Sequence, residues 1–314
     1  MTSAEPPQPT RRAPSREWPH AALYQEVKAA VLALPTYFET ETSIAGIAAT
    51  DIHTLSAVLG ATIEEQVVST LNQRMRRVWD PQGKYPTYSF IRQPQTFPDV
   101  LLRRPEAEEK PLLGIELKGW YLLAKEGEPN FRFQVTPAAC ADADLLVVVP
   151  WVLSQVISGR PIVFAPFIES ARYAAEYRNY WWEHRRKAKG EKAITIARGV
   201  QPYPTKSDAI ADRPLSDGGG NFGRLARTQL LDEYTKLTKT HPLCGIRIEY
   251  WLRFFKAFQE TRTDDEIRDV LDDLARRVKD ATEAEPKPVV EAVSRILGEL
   301  HKLLDLEPTD DDEA

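Results

Sequence analysis

Apolar positions recur at two different spacings along this chain, and the change of spacing marks its organisation. From 16 to 60 the sequence reads as helical and moderately apolar, as in ALYQEVKAAVLAL, with Pro35, Gly46 and Gly60 as punctuation. Thr62-Ile63-Glu64-Glu65 then opens a long amphipathic stretch to about Val78. Thr62 and Glu65 have the spacing of a capping box, and Ile63, Val67, Leu71, Met75 and Val78 recur as one core-facing helical side. After a Pro-, Gly- and Tyr-containing connection over 81–95, short apolar runs replace this period at 97–102, 112–123, 145–153 and 161–168. Their length and their content of Val, Ile, Leu and aromatic residues predict strands. The run LLVVVPWVL is apolar on both faces, which predicts a central strand covered on both sides. The segment from Glu169 to about Lys189 predicts a helix, with Tyr173, Tyr177, Tyr180 and Trp181 on its core side. A long Pro- and Gly-containing loop over 200–223 ends in DGGGNFG, and 224–305 read as mostly helical. There is no internal repeat.

Strands bracketed by helices predict an α/β fold with a sheet between helical layers. The expected divisions are a disordered lead-in over 1–15, a helical segment over 16–60, a core over 61–235, a helical region over 236–305 and an acidic tail over 306–314. The terminal helical parts are read as additions or an oligomerisation surface. No apolar run reaches the roughly 18 residues that span a bilayer, and MTSAEPPQPTRRAPS lacks the apolar centre of a signal peptide. Two cysteines, Cys140 and Cys244, have no metal-ligand spacing and cannot staple 314 residues, so a reducing cytoplasm is expected.

The net charge of −5 argues at first against a nucleic-acid partner. Its distribution changes the picture, because the last nine residues carry five acids and no base, leaving the rest of the chain neutral. Residues 172–206 hold nine Lys and Arg against three Glu. An acidic tail with a basic middle is compatible with DNA binding by one face, and equally with ordinary solvated surface.

The apolar runs contain charges that need an explanation. In GIELKGW, Glu116 and Lys118 point to one face of a strand while Ile115, Leu117 and Gly119 point to the other. Asp99 opens the preceding run, and the charged segment RRPEAEEK between the runs fits a hairpin turn that brings Asp99 against Glu116. Two carboxylates so placed repel unless a cation lies between them, and hard oxygen ligands suit Mg²⁺. An adjacent ammonium can position or deprotonate a water, or stabilise developing negative charge. Glu-x-Lys occurs four times in the chain, and only Glu116–Lys118 lies within an apolar strand. The plainer reading of that pair is a buried ion pair beside an unrelated Asp. Buried charges are costly, however, and they tend to mark function.

Pro98-Asp99 followed by Glu116-Leu117-Lys118 resembles the signature of the PD-(D/E)XK nuclease superfamily, the restriction-endonuclease-like fold, and most resembles its type II restriction endonucleases. The motif covers about twenty residues, and the similarity in element order extends over 61–190. The resemblance implies a mixed sheet flanked by helices, with Asp99, Glu116 and the Leu117 carbonyl as Mg²⁺ ligands, a role in which Mn²⁺ can substitute. It implies Lys118 as the catalytic lysine and a further Glu on the helix before the motif. Glu64 is four residues from Val68 and seven from Leu71 on the apolar side, whereas Glu65 faces the polar side, so Glu64 is the expected inward carboxylate. The implied activity is DNA endonuclease cleavage in restriction or phage defence, giving a 5′-phosphate and a 3′-hydroxyl. The implied partners are double-stranded DNA, a second copy of the chain as a homodimer, and a methyltransferase or other defence-system protein. A catalytically silent DNA-binding or scaffold protein of the same fold is the alternative.

Phosphate contacts are expected from Arg178, Arg185, Arg186 and Lys187 on or just beyond the helix that follows the 161–168 run, and from Arg224 and Arg227 in DGGGNFGRLAR. Gln134 in FRFQV is a weaker candidate for orienting water or a phosphate. The five His are scattered, and the sequence has no HExxH, CxxC, GxSxG or nucleotide-binding phosphate loop.

Overall fold

A computed structural model describes residues 6–257, except 49–50, 94, 107–108, 188–190, 218 and 220, together with a few positions between 263 and 276. Most of the expected helical region after residue 257 and the acidic tail over 306–314 lie outside the described residues. Helices α1 (Ala21–Leu32), α2 (Leu34–Tyr37), α3 (Leu55–Gln73) and α4 (Arg76–Trp79) precede the sheet. Strands β1 (Ser89–Arg92), β2 (Val100–Arg103), β3 (Leu113–Tyr121), β4 (Leu145–Leu153), β5 (Pro161–Val163) and β6 (Phe167–Ser170) form it, and α5 (Ala171–Tyr180) follows. Two short ribbons, β7 (Ile194–Thr195) with β8 (Arg213–Pro214) and β9 (Pro242–Leu243) with β10 (Ile246–Arg247), accompany α6 (Asp232–Lys239) and α7 (Ile248–Ala257).

The sheet is mixed. β1, β2 and β3 are antiparallel neighbours, β3 and β4 are parallel, and β4 then pairs antiparallel with β5 at one end and with β6 at the other. A parallel pair cannot be closed by a tight turn, so the chain crosses over through 122–144. Every residue of β4 is buried, as its uninterrupted apolar sequence requires. Val100, Ile115, Leu117 and Val147 cover one sheet face and meet Val31, Leu34, Val67 and Leu71 of α1, α2 and α3. Leu146 belongs instead to a second cluster with Phe97, Phe133, Ala171, Ala174 and Ala175, which places α5 against the opposite face.

Three boundaries differ from the sequence reading. Helix α3 begins at Leu55 after Thr54, so Thr62 and Glu65 lie inside it and form no capping box. Gly60 does not break this helix, and its carbonyl faces Gly119 of β3, where a Cβ would make only ordinary van der Waals contact. A helix glycine costs about 1 kcal/mol relative to Ala, which the buried Ile63, Val67, Leu71 and Met75 readily offset. The 161–168 run is two strands, because the chain leaves the β4 edge between Val163 and Phe167 at the donor-less Pro166. The helix after β6 ends at Tyr180 and continues as a π turn over Trp181–Arg185. The wider turn rotates the face, so Trp182 is buried and Trp181 only half-buried. In the expected lead-in, residues 6–15 form neither helix nor strand, and Arg11 pairs with Glu169 at 2.6 Å.

Asp144 fastens β3 to the crossover. Its Oδ1 accepts from Gly114 N and its Oδ2 from Ala141 N, both at 2.7 Å. Gly114 must be glycine, since a Cβ there would fall on Pro98 and within 2.8 Å of Asp144 Oδ1. Burial pushes the Asp144 carboxyl up to about 6, with these two N–H donors opposing it. A raised folded-state value favours the protonated fold, so this stabilisation is complete below about pH 4 and lost as pH rises through about 6. Between about pH 4 and about pH 7, the wild type is expected to lose on the order of 2 kcal/mol more stability than Asp144→Asn. Urea midpoints at the two pH values measure the difference, and parallel pH profiles contradict it.

Candidate active site

The hairpin of β2 and β3 builds the centre. Val100 pairs with Ile115, so continuing the register one step sets Asp99 opposite Glu116. The parallel pairing of β3 with β4 buries Glu116 behind that ladder, leaving its side chain 11% exposed. Lys118 stands two residues further on the same strand face. Its Nζ lies 2.8 Å from Glu116 Oε1 and 2.9 Å from Asp99 Oδ2. Asp99 Oδ2 also accepts from Leu117 N at 3.0 Å. In an extended strand the N–H and C=O of one residue point to the same edge, so the Leu117 carbonyl turns toward Asp99 as well.

Glu64 enters from α3. Its Oε1 lies 3.4 Å from Gly119 N, and Arg92 of β1 approaches its Oε2 at 3.6 Å. The Glu64 side chain is 23% exposed and that of Glu65 76%, so the helix turns Glu64 inward and Glu65 to solvent. Burial raises the Glu64 carboxyl, helped by Asp99 and opposed chiefly by Lys118. If the DNA cleavage that the sequence resemblance implies takes place here, Glu64→Gln is expected to lower it by about 10²-fold, within the range of a positioned proton acceptor, while Glu65→Gln changes it less than about twofold. Initial rates on supercoiled plasmid compare the two, and equal effects would contradict the assignment.

Burial likewise pushes Glu116 up to about 7, with Lys118 the main opposing influence. For Lys118 burial acts downward, but Glu116 and then Asp99 outweigh it and hold the ammonium above its ordinary value. The ammonium is therefore the resident cation of the two carboxylates. It leaves one oxygen poorly satisfied: Glu116 Oε2 is buried without a hydrogen-bond partner among the described residues, and besides Lys118 the Asp99 N–H also acts on this carboxyl. A buried carboxylate oxygen without a donor is costly, and a divalent cation would satisfy it. Asp99, Glu116 and the Leu117 carbonyl are hard oxygen donors on adjacent strands and fit Mg²⁺ or Mn²⁺. Among the described residues, no group of three or more His, Cys, Asp or Glu side chains stands ready-made around one metal position. The set would draw on two carboxylates and a main-chain oxygen.

The other expected site residues are dispersed. Arg178 does not face solvent: its side chain is 1% exposed and donates to Phe133 O, Val135 O and Asp212 Oδ2. It is a buried tie between α5 and two loops, and the expectation of a phosphate contact is corrected. Arg186 lies 3.6 Å over the Trp182 ring and donates to Glu191 O, while Arg185 and Lys187 are exposed beside it. Arg224 pairs with Glu126, and Arg227 with Glu126 and Glu128, so the glycine-rich loop is neutralised by the segment after β3. Gln134 is half-buried outside any strand, 3.5 Å from Phe222 O. The sequence reading missed Arg92 and Asp144. Asp144 carries a readable signal, an acid heading an apolar strand as Asp99 does, whereas nothing in SFIR distinguishes Arg92.

No family model matches this chain, and neither does any curated protein or solved structure. No helix among the described residues is long and apolar enough to cross a membrane.

Proposed function

We propose that this chain is a Mg²⁺-dependent DNA endonuclease of the PD-(D/E)XK kind, with the restriction-endonuclease-like version of the mixed sheet and a role in restriction or phage defence. The observation that carries the reading is the convergence of Asp99, Glu116 and Lys118 on one sheet face, with a buried Glu116 oxygen unpaired among the described residues. Asp99, Glu116 and the Leu117 carbonyl would hold the cation, which when bound supplies Lewis acidity at the scissile phosphate. Lys118, freed from the carboxylates, donates hydrogen bonds to the attacking water or a non-bridging phosphate oxygen as negative charge develops there. The Lys118 pKa would be lowered by burial together with a bound cation's charge, so that the amine could take the proton of the attacking water while the 3′ oxygen is protonated from solvent. Glu64 is the second proton acceptor within reach of the site. Water oxygen bonds to phosphorus as the bond to the 3′ oxygen breaks, leaving a 3′-hydroxyl and a 5′-phosphate. A homodimer would supply two such sites for the two strands, and a methyltransferase or other defence protein would be its working partner.

A second reading is favoured by the closed Asp99–Lys118–Glu116 ion cluster, which also suits a silent DNA-binding or scaffold protein. Purified protein incubated with plasmid and Mg²⁺, beside Asp99→Ala, separates the two. Cleavage by the wild type alone, with end-labelling that shows 5′-phosphates, supports the enzyme. An intact plasmid that both proteins still shift on a gel supports the silent form.

A further inference from the structure

A cleft of about 910 Å³ lies on the same sheet face as the candidate site. Ile91 of β1 pairs with Leu101 of β2, and Leu101 with Gly114 of β3, so these positions share the face of Asp99 and Glu116. Ile91 and Leu101 floor the cleft, and its far wall is the segment 201–206. The floor reaches the catalytic end of the sheet through Gln93, whose N–H donates to Asp99 O at 2.6 Å.

The wall lies against the same strand. Tyr203 sits beside the Asp144 carboxyl, and burial together with that carboxyl raises its hydroxyl, while Asp144 accepts from Gly114 N at 2.7 Å. The wall and Asp99 thus both border β3. The lining is cationic, with Arg92, Arg103, Lys110 and Lys206 against one carboxylate, Glu109. Glu109 is engaged by Arg104 and Arg92 by Glu64 and Glu65, so the exposed Lys110 and Lys206 carry the positive charge offered to a ligand. Lys110 and Lys206 stand exposed on opposite walls. A volume near the top of the range of about 300–1,000 Å³ for ligand clefts is larger than one phosphate needs, and suits a chain of nucleotides.

We propose that this cleft holds a DNA strand beside the bond to be cut, with its phosphates clamped between Lys110 and Lys206. The proposal deepens the nuclease reading and rests on it for the position of the bond. It moves the main polyanion contact from the α5 arginines to the β1–β2 edge.

The test is fluorescence anisotropy of a labelled duplex with the full chain in EDTA, across a salt series. Lys110→Ala/Lys206→Ala is expected to weaken binding by at least about tenfold and to reduce the slope of log affinity against log salt by about 1.8, for two lost phosphate contacts. The control Lys28→Ala/Lys236→Ala, on α1 and α6, should keep the wild-type slope. An unchanged slope in the cleft variant, an equal loss in the control, or a wild type that binds no duplex overturns the proposal. The readout uses neither metal nor cleavage, so the two ideas fail separately. Normal loss of slope in a protein that never cuts DNA removes the enzyme and keeps the cleft, and cleavage with an unchanged slope does the reverse.

Discussion

On the proposed nuclease mechanism, Lys118→Met is expected to lower the rate of Mg²⁺-dependent DNA cleavage by about 10²–10⁴-fold, the range for a positioned proton-transfer group. The same change removes the only cation within 2.9 Å of both Asp99 and Glu116 among the described residues. Two carboxylates then face one another across β2 and β3 with little to offset their repulsion. In EDTA the variant should therefore be less stable than wild type, by about 1–3 kcal/mol given that Asp99 and Lys118 are partly solvated. Added Mg²⁺ should restore most of that loss and should bind more tightly than to wild type, because no ammonium competes for the oxygens. Urea midpoints with and without Mg²⁺, beside cleavage rates, give both readouts. A variant that is destabilised and that Mg²⁺ does not rescue would make the cluster purely structural.

Arg178→Met is expected to cost about 3–5 kcal/mol, the penalty for leaving a buried charge without its partner. Asp212 is fully buried beneath Arg178 at 2.7 Å, and Phe133 O and Val135 O lose their donor at the same time. Burial lowers the Arg178 guanidinium to about 10, and Asp212 only partly opposes it, which shows how dry the pair is. Removing both charges with Arg178→Met/Asp212→Leu should recover part of the loss, since a matched apolar pair is often no worse than a buried ion pair. Denaturant midpoints of the two variants decide it. A loss below about 1 kcal/mol for Arg178→Met would return this arginine to the surface role that its position in a basic stretch suggests.

The part of the site that sequence alone made legible is the part built from local pattern. Alternation along GIELKGW placed Glu116 and Lys118 together, and a hairpin between two apolar runs placed Asp99 beside them. Helical spacing separated Glu64 from Glu65 correctly even though the helix starts seven residues earlier than its apparent cap, because phase along a helix does not depend on where it begins. Where spacing failed, a non-local partner or a change of period was responsible. Arg178 reads as surface until Asp212, 34 residues on, is folded against it. Trp181 and Trp182 exchange places because a π turn breaks the period of 3.6. The cationic cleft is composed of β1, β2 and a loop a hundred residues later, and no spacing within one segment reveals such a wall.

The proposed divalent-cation site joins the buried Glu116 carboxyl to the partly solvated Asp99 carboxyl. Calorimetric titration of Mn²⁺ into the wild type and into Asp99→Asn, each with duplex DNA present, tests it most directly. The account predicts one site-dependent binding event in the wild type, weakened at least about tenfold in Asp99→Asn by the loss of a charged ligand. Equal Mn²⁺ binding by both proteins, or no binding by the wild type, would contradict it.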